Sequence, residues 1–343
     1  MKLGIVGLPL SGRSTLFEAL TRTAAGVESK MENRLAAVRV PDPRIDNLSD
    51  IYSPKKTTYA QIEYFLPGAA LTKEDKAGEQ SQWTKVRGCD ALIHVVRNFE
   101  GPAGHPDPPS DFRKTDDELI LADLVVTESR IARLEADLKR NRKIDPNEFA
   151  LLGESRAMLD GGTPLRRRPE IAGAPVLRGF AFLSAKPMLV ILNNSDHDDE
   201  LPGDWPAGSG DRAVTLRGRI EREIAQMSEE DAADFLSEFR IGESAMMRII
   251  RESYALLGLI SFFTVGPDEV RAWTIRRDLR AVDAAEAIHS DIKKGFIRAE
   301  VVAYDDLIES GSYQEARRRG LVRLEGKEYV MKDGDIVDFR FNV

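Results

Sequence analysis

Residues 7–14 read Gly-Leu-Pro-Leu-Ser-Gly-Arg-Ser, set between the apolar run KLGIVG (2–7) and the helical pattern STLFEALTRT. Strand, glycine-bearing loop and helix in that order make a phosphate loop. Successive backbone N–H groups and a helix N-terminus there converge on phosphate oxygens. Gly7 and Gly12 permit the tight backbone path, and the Ser14 hydroxyl can sit on Mg²⁺. Gly7, Leu10, Ser11, Gly12, Arg13, Ser14 and Thr15 are therefore the candidate phosphate-binding residues, with Ser14 the candidate metal ligand. Arg13 stands where the motif has lysine. A guanidinium keeps the charge, but it is larger and planar where lysine offers a compact point charge.

A loop of this kind needs a parallel sheet around it, and the chain supplies the strands. Apolar runs fall at 36–40 (AAVRV), 61–67 (QIEYFLP), 91–97 (ALIHVVR), 187–192 (PMLVIL) and 213–216 (AVTL). Those at 91–97 and 187–192 have little polar alternation, as in strands covered by helices on both faces. The expected class is α/β, a P-loop nucleotide-binding domain with a mostly parallel sheet. Just past the fourth of these later strands, "KPMLVILNNSD" gives Asn193 and Asp196 in an N-x-x-D arrangement. A carboxylate there can accept hydrogen bonds from a purine edge, although a polar turn after a strand is common.

Two stretches do not belong to that sheet. In "ELILADLVVTESRIARLEADLKR", Ile120, Leu124, Thr127, Ile131, Leu134 and Leu138 repeat at spacings of four and three, with charged residues off the seam. Residues 147–159 can return as an antiparallel partner, and "DGGTP" ends the pattern. Such a hairpin either packs only against itself or serves as a partner-binding arm. The run "PLRRRPE" (164–170) reads as a solvated loop, or as a phosphate contact if it lies at the hairpin tip. Residues 228–257 read as helical. From about 259 the pattern becomes strand (RAWTIRR), helix (AVDAAEAIHSDIKKGF), strand (RAEVVAY), then strand runs on either side of a DG turn in "EGKEYVMKDGDIVDFRF", which suggests a small β-grasp domain. His289 in that helix pattern reads as structural or solvated.

Composition narrows the setting. A chain of 343 residues with 42% hydrophobic and 31% charged residues is an ordinary globular protein, and a formal charge of −8 argues against a wholly basic nucleic-acid binder. Cys89 is the one cysteine, so an intramolecular disulfide is excluded and a reducing, cytoplasmic compartment is expected. Met1 leads directly into a strand, so no leader is expected, and no stretch approaches the ~20 apolar residues of a membrane span.

With these motifs assembled, the chain resembles the YchF family of Obg-related, ribosome-associated P-loop ATPases from end to end. The resemblance rests on "GIVGLP…STLFEALT", "VPDPR" (40–44), "CDALIHVVRNFE" (89–100), "ELILADL" (118–124) and "KPMLVILNNSD". It is densest in "LGLISFFTVGPDEVRAWTI", "KKGFIRAEVVAYDDL" and the terminal "EGKEYVMKDGDIVDFRFNV". It implies a nucleotide-binding domain over 1–112 and 184–258, a coiled-coil insertion over 113–183, and a TGS-type β-grasp domain over 259–343. It also implies ATP in preference to GTP, Mg²⁺, base contacts from Asn193, Asn194 and Asp196, and ribosome or RNA binding through the TGS domain and coiled-coil arm. Asn194 is not the lysine of GTPases, as in the family, whereas Asp196 is the acid that GTPases use.

The metal- and water-handling loops depart from the family. In "VESKMENRLAAV" (27–38), Lys30 falls near the place of the switch threonine. In "FLPG" (65–68), Phe65 replaces the Mg²⁺-organising aspartate, and Lys85 aligns with a candidate catalytic histidine. No catalytic residue is assigned. The reading ranked first is a purine-nucleotide binder with weak or lost hydrolysis that acts on ribosomes or RNA. The second is an active ATPase or GTPase in which Glu79, Gln80, Gln82 or Lys85 orders the water. The third is a nucleotide-free ribosome- or RNA-binding scaffold, with Lys293, Lys294 and Arg298 as an RNA-facing patch.

Overall fold

The computed structural model describes residues 1–23, 32–68, 83–102, 104–205, 211–238 and 243–342. They divide into two compact units, Met1–Ala37 with Glu63–Ile249 and Val38–Ile62 with Ile250–Val343. The chain runs β1 (Lys2–Val6), α1 (Arg13–Thr21), β2 (Arg34–Arg39), α2 (Pro43–Tyr52), β3 (Lys56–Thr58), β4 (Gln61–Leu66) and β5 (Ala91–Asn98). It continues through α3 (Pro108–Lys139), α4 (Pro146–Asp160), β6 (Met188–Asn194), β7 (Arg212–Leu216), α5 (Gly218–Ala225), α6 (Glu229–Glu238) and α7 (Ala245–Leu256). Last come β8 (Leu259–Thr264), β9 (Glu269–Arg276), β10 (Phe296–Ala303), α8 (Tyr304–Ser310), α9 (Tyr313–Arg318), β11 (Arg323–Glu325) and β12 (Asp335–Phe341).

The first sheet has the order β2-β4-β1-β5-β6-β7. The neighbours β4–β1, β1–β5, β5–β6 and β6–β7 all pair in parallel. Residues 91–97 and 188–194 are buried throughout, as expected of strands covered on both faces. Phe112, Leu119 and Leu183 complete a core with Val6, Leu92, Val96, Val190 and Leu192. Cys89 belongs to the same core.

The expected helical hairpin is α3 and α4. Asp107 and Asp145 cap them, accepting from Ser110 N at 3.1 Å and Asn147 N at 2.9 Å, each followed by a proline in the first turn. Ile120, Thr127, Ile131 and Leu134 of the seam are buried, Leu124 is half-buried, and Leu138 near the tip is 46% exposed. Leu152 and Leu159 of α4 close the seam, and Arg130 grips Glu148 with bonds of 2.7 and 2.9 Å.

The arginine run differs from expectation. Arg166 is buried, donating to Asp116 at 2.8 Å and to Asp211 at 2.9 and 3.0 Å. Arg167 also pairs with Asp211, and Arg168 with Glu154 at 3.1 Å. Arg166 and Arg167 neutralise buried acids near the base of the hairpin and Arg168 pairs with a half-exposed one, so the run is neither a free loop nor a tip contact. Asp123, fully buried, anchors the same region by accepting from Leu183 N, Ser184 N and Arg87 at 3.0, 2.7 and 3.0 Å.

The second unit carries a mixed sheet in the order β11-β10-β12-β8-β9-β3. β10 pairs antiparallel with β11 and β12, as does β8 with β9, while β12–β8 and β3–β9 are parallel. Phe262, Ile275, Val301, Val337 and Phe339 form its core. Two local expectations are corrected. The stretch 281–294 is three short helical turns, because His289 turns extended and caps the last, its ring nitrogen accepting from Asp291 N at 3.2 Å. The run before the DG turn is not the partner of β12. Met331 N and Ala281 N bond Leu279 O and Tyr329 O at 2.9 and 2.7 Å, tying that run to residues 279–281 instead.

Candidate nucleotide site

β1 delivers the phosphate loop to the C-terminal edge of the parallel strands, where open α/β sheets bind ligands. The loop is built from left-handed backbone, with Gly7 at φ 144°, Leu10 at 64° and Gly12 at 99°. A side chain at Gly7 would strike the carbonyl of Val95 on β5, and one at Gly12 would strike the Asn193 amide. Leu10 takes the strained conformation without being glycine, and it is 61% exposed.

Asn193 closes the cradle from β6. Its Nδ2 donates to the Ser11 carbonyl at 3.0 Å, and its Oδ1 accepts from Gly218 N at 3.1 Å. One buried amide thus joins the phosphate loop to the start of α5, after β7. Nothing in the sequence singled out Gly218, although a polar turn between an edge strand and a helix marks the next loop along this edge of the sheet. Asn194 points the other way, as alternation along a strand requires. Its Oδ1 accepts from Asn98 at 3.0 Å and its Nδ2 donates to the Glu200 carbonyl at 2.8 Å. Asp196 lies beyond the strand end, 3.5 Å from Arg219 in the first turn of α5. The structure therefore brings Asn193 onto the phosphate loop and Asp196 to the adjoining helix start, while Asn194 braces the segment leading to Glu200.

The loop's chemistry suits an anion. The Ser11 side chain is buried and its hydroxyl has no hydrogen-bond partner. The first turn of α1 contains no acid, and no side chain caps it. The N–H groups at a helix start of this kind can bind an anion. Arg13, Ser14 and Thr15 are half-buried around that end. Burial lowers the pKa of the Arg13 guanidinium, the direction expected for a cation held in a partly dry site.

The divergent loops are seen in part. Phe65 is half-buried against the core, with the Lys2 ammonium 5.2 Å from its ring centre. Gly68 N donates to Asn33 at 3.1 Å. Lys85 is exposed on a helical turn over 83–86. Lys30, Glu79, Gln80 and Gln82 lie outside the described residues. Among the described residues, no group of three or more His, Cys, Asp or Glu side chains could hold a metal ion, and no helix is long and apolar enough to cross a membrane.

Residues 259–342 match the YchF-GTPase_C family model, described as a protein of unknown function (DUF933). The chain is 38% identical to the ribosome-binding ATPase YchF of Bacillus subtilis, over 99% of both chains. It is 35% identical to Obg-like ATPase 1 of Oryza sativa, covering 100% of this chain and 92% of that one. The solved structure of the Schizosaccharomyces pombe YchF GTPase superposes with a TM-score of 0.82 at 28% identity, covering 99% of this chain and 97% of the other. On full-length identity, and on a fold that joins a parallel sheet, a helical hairpin and a second sheet, the chain belongs to the YchF family of Obg-like ATPases.

Proposed function

We propose that this chain is a purine-nucleotide-binding member of the family that works with ribosomes and hydrolyses its nucleotide weakly or not at all. The observation that carries the reading is a contrast: the loop after β1 has the glycine geometry and Asn193 clamp of a phosphate cradle, while Phe65, which the family resemblance sets in the place of the metal-organising aspartate, is an apolar side chain packed against the core. The backbone of Leu10–Thr15 would bind the phosphates, with Arg13 as the cation beside them. Ser14 would hold Mg²⁺ together with phosphate oxygens; the ion supplies charge neutralisation in phosphoryl transfer. Asp196 would accept from the base, and Asn193 would hold the loop in shape. Nucleotide binding, with ATP ahead of GTP, and association with ribosomes take support from relatives named as ribosome-binding ATPases. The proposed division is a nucleotide-binding domain over 1–112 and 184–258, an insertion over 113–183 and a TGS-like domain over 259–343.

The test is equilibrium titration of nucleotide-free protein with labelled ATP and GTP, with and without Mg²⁺, alongside steady-state turnover. The expected result is saturable binding with little Mg²⁺ dependence and turnover far below that of ordinary P-loop enzymes. Robust Mg²⁺-dependent turnover would transfer the assignment to an active triphosphatase with rearranged groups. Absence of binding would leave only a scaffold.

A further inference from the structure

The turn joining α3 to α4 reads Lys139-Arg140-Asn141-Arg142-Lys143, four cations in five positions, all exposed. Several other arginines of the hairpin region are bound to acids: Arg87 to Asp123, Arg130 to Glu148, and Arg166, Arg167 and Arg168 to Asp116, Asp211 and Glu154. At the tip only Arg142 is paired, with Asp137 at 3.1 Å, and its side chain remains 66% exposed. Lys139, Arg140 and Lys143 have no acidic partner among the described residues. The nearby acids are occupied, Asp145 in capping α4 and Glu148 by Arg130, apart from exposed Glu135 one turn back along α3.

The turn is closed by backbone hydrogen bonds. Asn141 is left-handed at φ 55°, and Asn141 N and Arg142 N donate to the carbonyls of Leu138 and Asp137, each at 2.9 Å. A 32-residue α3 is about 48 Å long, and beyond the Asp123 anchor its inner face packs on α4 and the segment after it. The hairpin therefore presents this cluster of charge at its far end. The bland explanation is complementation of the α3 dipole, which favours cations at a helix C-terminus. It accounts for Lys139 and Arg140. It does not account for Lys143, which stands just before the N-terminus of α4, where a positive charge is disfavoured.

We infer that the Lys139–Lys143 tip is a phosphate-backbone contact for structured RNA. This rests on the ribosome-associated reading above and names the surface that carries it. A formal charge of −8 gives the chain no general attraction for a polyanion, so binding needs a local basic cluster of this kind. A membrane surface is a poorer fit, because an interfacial segment needs an apolar face, and the exposed apolar residue near the tip is Leu138 alone.

The experiment uses full-length protein and compares wild type with the quadruple variant Lys139→Gln, Arg140→Gln, Arg142→Gln, Lys143→Gln. A charge-keeping variant (Lys139→Arg, Arg140→Lys, Arg142→Lys, Lys143→Arg) controls for folding. Binding to purified 70S ribosomes and to a labelled RNA hairpin is measured across salt concentrations, and labelled ATP is titrated in parallel. Each lost phosphate contact removes nearly one unit from the slope of log affinity against log salt. The quadruple Gln variant should lose about two to three units of slope and roughly 10–100-fold in affinity at moderate salt, with ATP binding unchanged. The charge-keeping variant should match wild type. Wild-type slope and affinity in the Gln variant would overturn the tip assignment while leaving ribosome binding intact. Failure of wild type to bind either probe would overturn both.

Discussion

Asn193 holds Ser11 and Gly218 at once: its Nδ2 donates to the Ser11 carbonyl at 3.0 Å while its Oδ1 accepts from Gly218 N at 3.1 Å. The side chain is 5% exposed, so water cannot readily replace either bond. Asn193→Ala would leave a buried carbonyl and a buried amide unsatisfied, which costs about 1–3 kcal/mol per group. The expected outcome is a comparable fall in unfolding free energy, with nucleotide affinity lowered at least about tenfold as the cradle loosens. Urea unfolding and ATP titration read the two effects. An Asn193→Ala protein with wild-type affinity would show that the phosphate loop holds its shape without this clamp.

Arg13→Lys restores the residue of the usual motif and separates binding from chemistry. A lysine supplies the same charge in a more compact form. It does nothing for Phe65, which remains half-buried against the core with Lys2 over its ring. Nucleotide affinity should therefore stay within about tenfold of wild type while turnover remains low, because phosphoryl transfer depends on metal and water placement as well as on the loop cation. A rise in turnover of about a hundredfold would mean that Arg13 alone limits the chemistry.

Much of this architecture is written in local pattern. The apolar runs at 91–97 and 187–192 are doubly covered strands, and the four-three spacing from Ile120 to Leu134 is the buried seam of the hairpin. Asp-Pro at 42–43, 107–108 and 145–146 opens α2, α3 and α4, a capping signal in plain view. What stays hidden depends on distant partners. Lys56–Thr58 has no strand signal of its own, and it becomes β3 by pairing with Glu269–Arg271. An arginine run reads the same whether solvated or buried, and the acids that bury Arg166 lie 45 and 50 residues away in sequence. Within the candidate site, the glycines and Asn193 carry a motif, but the link from Asn193 to Gly218 spans 25 residues and has no local mark.

His94 should make the protein acid-sensitive above the usual carboxylate range. It lies in the middle of β5 at 1% exposure, stacked on Phe112 with 5.5 Å between ring centres, and neither ring nitrogen has a hydrogen-bond partner. Burial, aided by the charge of Arg166, lowers its pKa from 6.5 to about 3. The unfolded chain therefore takes up a proton below pH 6.5 that the native state refuses until about pH 3. The stability this group contributes is present above pH 6.5 and is lost progressively as the pH falls through that window. Between pH 7.5 and 5.5 the wild type should lose about 1 kcal/mol relative to His94→Leu, which lacks the titration. Parallel urea melts at the two pH values measure the difference. Equal pH slopes for the two proteins would mean that the native imidazole is protonated or solvated.

Arg166 and Arg168 are two residues apart and should behave very differently. The Arg166 side chain is 5% exposed and bonds Asp116 and Asp211, whose side chains are 12% and 5% exposed. Arg166→Ala leaves buried Asp116 without its cation and Asp211 with Arg167 alone, and breaking a buried pair by removing one partner costs about 3–5 kcal/mol. Arg168 pairs with Glu154 at 3.1 Å, but both side chains are about half exposed, 49% and 48%. Solvent screening holds such a pair to about 0–1 kcal/mol. Denaturant unfolding of the two alanine variants should therefore show a large loss at 166 and almost none at 168. RNA affinity should be unchanged in Arg168→Ala, since this run lies at the base of the hairpin rather than at its tip. Comparable losses of stability from both substitutions would mean that the Asp116–Arg166–Asp211 cluster is open to water.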